Sequence, residues 1–117
     1  MLTIREKQMA VFAEVETKKF VDRVVVHLNK FFPTQCADAG QEQLRETVQY
    51  GIRRAGAYGI TSERDVYKYI DLMVVLGRDF DTDKEFPWAG EILNSGNTPS
   101  QRMWLLVRTA DEHLART

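Results

Sequence analysis

The sequence predicts an all-α fold: a single domain over residues 1–117, arranged as an irregular or orthogonal bundle of about five helices around a buried central helix near residues 62–77. Three observations carry this. Apolar residues recur at three- and four-residue spacing in run after run. Thr, Ser or Pro precede those runs, and Gly or Pro follow them, as helix starts and stops require. The composition, 44% hydrophobic and 28% charged over 117 residues, is that of an ordinary globular chain with enough apolar side chain to build a core.

The first helix is expected from Thr3, a capping residue with Glu6 in the first turn, to Pro33. Met9, Phe12, Phe20, Val24, Leu28 and Phe31 form its slowly drifting apolar stripe. Glu16 and Lys19 lie close to that stripe, which allows a kink near Thr17. Val24, Val25 and Val26 favour strand locally but sit inside a helical period, so the segment stays helical. "FFPTQCADAG" is a connector in which Pro33 stops the helix and Gly40 ends the loop.

The second helix covers about Gln41 to Tyr58, with Leu44, Val48, Ile52 and Ala55 inward. Gly51, Ala55 and Gly59 fall four apart. Gly inside a helix costs about 1 kcal/mol relative to Ala, and the compensation expected at Gly51 is close approach by a neighbouring helix. Gly59 reads as the stop. The third helix starts at Thr61 or Ser62. Ser62 with Asp65 makes a capping-box variant, and Glu63 suits the positive helix end. After Gly77, "RDFDTDKEF" reads as a solvated acidic loop. Pro87 opens a short helix through Leu93, and "NSGN" is a turn. Thr98, Pro99 and Gln101 start a last helix, whose inner stripe is Met103, Leu106, Val107, Ala110 and Leu114.

Several function classes are set aside at this level. Net charge is −1 and the isoelectric point about 6.1, so no basic footprint points to nucleic acid or to an anionic membrane. The N-terminal segment lacks the apolar core of a signal peptide, and the apolar run Leu72–Gly77 is too short to span a bilayer. A cytoplasmic protein that does not insert into membranes is expected. The lone Cys36 excludes an internal disulfide.

Ala55, Gly59 and Ile60 match the turn of a helix-turn-helix. The motif then slips, because Asp65 stands where an apolar residue is needed and Val66 comes one place late. Tyr69, Ile70, Leu72, Met73, Val74, Val75 and Leu76 make the following helix apolar on all sides, and Glu63 and Asp65 repel phosphate. A core helix is the better reading. Asp79, Asp81 and Asp83 occupy the first, third and fifth positions of a calcium loop. Its sixth position is Lys84 instead of Gly, and its twelfth is Gly90 instead of a bidentate acid. No metal or other cofactor is expected. His27, His113 and Cys36 are too few for a structural zinc and show no local catalytic signature. The Asp79/Asp81 pair lacks the dry pocket of a hydrolase dyad, and no Gly-rich phosphate loop or nucleophile elbow is present. The candidate protein-binding patch is Asp79, Asp81, Asp83, Phe86, Trp88 and Trp104, aromatics set among acids. The alternative is that the aromatics simply close the core.

"HLNKFFP", "YGIRRAGAYGITSERDVYKYIDLMVVLGRDFD" and "PWAGEIL" together resemble small helical accessory proteins encoded in type VI secretion effector clusters, over about Leu2 to Leu114. The resemblance implies a non-enzymatic adaptor, chaperone or co-chaperone that binds a secretion effector or the effector's own chaperone. It carries no catalytic residues with it. Two other classes stay open: an immunity protein that neutralises a cognate toxin through its acidic loop, and a small enzyme or toxin, which would need a pocket with convergent titratable groups.

Overall fold

The computed structural model describes residues 18–116, and every regular element among them is helical. The helices are α1 (helical over residues 18–31), α2 (Pro33–Cys36), α3 (Gln41–Ala57), α4 (Glu63–Leu76), α5 (Pro87–Leu93) and α6 (Pro99–Ala115). The chain divides into two compact units. One ends at Arg45 and the other begins at Glu46, so the boundary falls within α3.

In the first unit, Phe20, Val21, Val24, Val25 and Leu28 are the buried face of α1. Phe31, expected inward, falls between Phe20 and Val24 around the helix axis but is instead 60% exposed, standing at the last residue of α1 where the buried stripe ends. Lys30 covers its ring, with Nζ 5.3 Å from the centroid. The expected starts and contacts at Thr3, Met9 and Phe12 lie outside the described residues. The connector is not all loop. Pro33 has the φ of a first helical turn and opens α2, which buries Cys36. Arg45 pairs with Asp22 of α1.

The second unit shows how closely its helices are specified. The C-terminal end of α3 is a Schellman stop. The Ile60 amide donates to the Ala55 carbonyl at 2.9 Å, the Gly59 amide donates to Gly56 at 2.9 Å, and Gly59 has φ +78°. Gly51 does admit a neighbour. A Cβ there would lie 2.7 Å from Ile70 Cγ1 and 2.8 Å from Met73 Sδ, both on α4.

Ser62 caps α4 by accepting from the Asp65 amide at 3.2 Å. The expected reciprocal half is not made. The Asp65 carboxylate is buried and accepts from Ser100 Oγ of α6 at 2.9 Å. Val66, Tyr69, Ile70, Leu72 and Met73 are buried, but the last turn of α4 is not enclosed: Val75 is exposed, and Val74 and Leu76 are half-buried. An apolar sequence thus continues past the point where neighbours cover it. α6 packs on both α4 and α5. Thr98 and Gln101 complete a capping box at its start, each side chain accepting from the other's amide. Met103, Leu106 and Ala110 are its core face, whereas Val107 is half-buried and Leu114 is exposed, short of the expected stripe. Each fully buried Leu, Ile or Met side chain contributes about 1.5–3 kcal/mol of burial.

Candidate functional site

Four polar side chains fall on one row, Glu46, Tyr50 and Arg54 of α3 and Tyr58 just past its end, each four residues after the last. An i+4 row drifts only about 40° per step, so these side chains form a continuous polar edge. The loop over residues 77–86 lies along that edge in the same order. Arg78 donates twice to Glu46, at 2.7 and 2.9 Å, and its guanidinium stacks 4.0 Å from the centroid of the Tyr50 ring. The Tyr50 hydroxyl donates to Asp79. Arg54 pairs with Asp81, and the Tyr58 hydroxyl donates to the same carboxylate oxygen at 2.7 Å. Phe80, between the two acids, is fully buried, its ring 5.1 Å from that of Tyr69. From the other side, the Asp81 carbonyl would lie 3.2 Å from a Cβ at Gly90 of α5. The loop is therefore held by side chains on α3 and by close backbone approach on α5.

The electrostatics follow from this geometry. Asp81 is 4% exposed, and burial of an unpaired carboxylate would cost several kcal/mol. Arg54 supplies the counter-charge, and the bond to Asp81 raises the guanidinium's already high pKa. The Tyr58 phenol is pushed up to about 12, first by burial and then by its bond to Asp81. Burial raises Tyr69 too, with the Asp81 charge adding to it. The bond to Asp79 raises Tyr50, and the bond to Arg78 lowers Glu46. With their pKa values raised, the Tyr50 and Tyr58 phenols keep their protons at neutral pH and donate them to Asp79 and Asp81. Asp81 Oδ1, Arg54 Nε and Tyr69 Oη are buried and make no protein hydrogen bond.

This arrangement corrects the expectation of a solvated acidic loop: Asp81 is buried, because Arg54 of α3 and Tyr58 just past its end receive it. The calcium-loop positions are also committed elsewhere. Asp79 goes to Tyr50, Asp81 to Arg54, and Asp83 accepts from the Glu85 amide at 2.8 Å. Among the described residues no group of three or more His, Cys, Asp or Glu could hold a metal ion. Sequence reasoning missed Glu46, Tyr50, Arg54 and Tyr58. Their four-residue repeat was the available signal.

The six patch residues separate. Asp79 and Asp83 are exposed on the loop, Asp81 and Phe86 are buried, Trp88 is half-buried, and Trp104 is 57% exposed. Phe86 and Trp88 pack on His113, with ring centroids 5.2 and 5.9 Å away. His113 and Trp104 leave opposite sides of α6, about 13 Å apart along its axis, so Trp104 belongs to a different surface.

Cys36, in the first unit, is buried with Sγ 3.7 Å from the Leu28 carbonyl, and burial raises its thiol pKa. His27 lies 4.9 Å from the Phe31 ring. No described helix is long and apolar enough to cross a membrane.

No family model matches the chain, and no curated protein or solved structure matches it either.

Proposed function

We propose that the chain is a non-enzymatic protein-binding accessory module, an adaptor or co-chaperone for a type VI secretion effector or its chaperone, working in the cytoplasm. The observation that supports this reading is the pinned loop. Residues 78–81 are fastened to α3, and residues 82–85 beyond them stand exposed beside the half-buried Trp88. A contact edge already held in place loses little conformational entropy when a partner docks. The exposed Asp83 and Glu85 give it a negative cast that selects a basic partner surface.

The test is affinity capture from the native cell extract with the wild-type chain and with Asp83→Lys/Glu85→Lys. Recovery of a secretion effector or its chaperone by the wild type, lost with the double variant, supports the reading. Capture that returns no protein of a secretion cluster overturns it, as does turnover of a small substrate. The same acidic edge also suits an immunity protein that covers a basic toxin surface. Rescue of growth when the chain is co-expressed with a neighbouring toxin would favour that second reading.

A further inference from the structure

We propose that the outer face of α6 is a self-pairing surface, on which two copies of the chain meet antiparallel about a two-fold axis. The face is Trp104, Arg108, Asp111 and Ala115. Their spacing places all four within about 60° of one another around the helix. All four are exposed, Trp104 at 57%, whereas Met103, Leu106 and Ala110 turn inward. A shallow groove of about 320 Å³ runs along this face, lined by Lys68 of α4 together with Trp104, Val107, Arg108, Asp111 and Glu112.

The order of side chains is complementary to its own reverse. From N- to C-terminus the face reads large aromatic, base, acid, small; in the opposite direction it reads small, acid, base, large. An antiparallel copy sets each Trp104 against the other copy's Ala115, and each Arg108 against the other's Asp111. All these pairs share one midpoint, between Thr109 and Ala110, so a single two-fold axis satisfies every one. Trp104 and Ala115 each lie about 8 Å from that axis along the helix. A parallel arrangement would instead oppose like charges and press Trp104 on Trp104.

Within one chain Arg108 reaches Glu112 at 3.7 Å and lies 5.2 Å from the Trp104 ring centroid. The ion pair is open to solvent on both sides, so it holds Arg108 only weakly and leaves it able to turn to Asp111 of the second copy. The half-buried Val107 and the 40% exposed Leu114 border the face and add apolar area to the contact. The pairing goes beyond the loop-based function, because it uses the side of α6 opposite His113.

Sedimentation velocity on the full chain, from micromolar to near-millimolar concentration, tests the proposal. The wild-type mass should rise with concentration from 13.5 kDa toward twice that value. Arg108→Asp and Asp111→Arg each oppose like charges across the axis and should raise the dimer dissociation constant by about tenfold. The double variant restores opposite charges and should return close to the wild type. Trp104→Ala should weaken the dimer as well. These side chains are exposed, and unchanged circular dichroism would show that each variant folds. A chain that stays monomeric throughout overturns the proposal, as does a dimer indifferent to the single reversals or one that the double reversal fails to restore.

Discussion

Replacing Gly51 by Ala and Gly56 by Ala makes the same chemical change on the same helix in two different surroundings. Both gain helix propensity, up to about 1 kcal/mol and less near a helix end. At Gly56, exposed in the last turn of α3, nothing lies within 4 Å of the added methyl. That variant should gain about 0.5 kcal/mol. At Gly51 the methyl meets Ile70 Cγ1 at 2.7 Å and Met73 Sδ at 2.8 Å, against about 3.5–4.0 Å for a comfortable carbon contact. The methionine is flexible and can yield, but Ile70 is β-branched and stiff. Overpacking of this kind costs about 1–3 kcal/mol, which exceeds the propensity gain. Gly51→Ala should therefore lose about 1 kcal/mol net, and the two variants should differ by roughly 1.5 kcal/mol. At about 4 °C per kcal/mol for a chain of this size, the Tm gap is roughly 6 °C. Urea unfolding and thermal melts followed by circular dichroism measure it. Shifts of the same sign and similar size in both variants would refute the close approach of α3 to α4.

The remaining predictions concern the polar contacts. Arg54→Met leaves Asp81 buried without its counter-charge and should destabilise by about 3–5 kcal/mol, and Arg54→Met/Asp81→Leu should recover much of that in urea unfolding; a single variant as stable as the wild type would count against the pinned loop. Tyr58 titrates at about 12 in the folded chain and near 10 when unfolded, so the stability it contributes is complete below pH 10 and lost as pH rises toward 12. Tyr58→Phe should flatten that alkaline loss in melts taken across the window. Gly90→Ala crowds the Asp81 carbonyl, which would lie 3.2 Å from the new methyl, and should speed amide exchange over residues 79–83 relative to wild type. Arg102 donates to the Leu93 carbonyl at 2.6 Å and to the Asn97 carbonyl at 3.1 Å, closing the C-terminal end of α5; Arg102→Leu should lower stability by about 1.5–3 kcal/mol, read from the urea midpoint.

The sequence by itself determined where α3 stops and where α4, α5 and α6 begin, although the residues of α2 read as part of a loop. Ser62, Thr98 with Gln101, Pro87, Gly59 and Gly77 act on neighbours only a few residues away, so their roles are written in local order. The need for a close neighbour at Gly51 was legible for the same reason, since a missing side chain in a helix demands compensation. The tertiary structure alone decided which apolar residues are covered. Phe31 and Leu114 continue periodic runs yet are exposed at the ends of their helices, and Val75 lies on the side of α4 opposite the buried Val66, so apolar character alone did not decide burial. It also decided the fate of the acids. Asp79, Asp81 and Asp83 are alike in sequence, but only Asp81 is buried, because Arg54 and Tyr58 lie 27 and 23 residues before it in the chain and only folding brings that counter-charge and donor to its carboxylate. A charge is removed from water only where a distant residue replaces what water gave it, and no local spacing encodes that meeting.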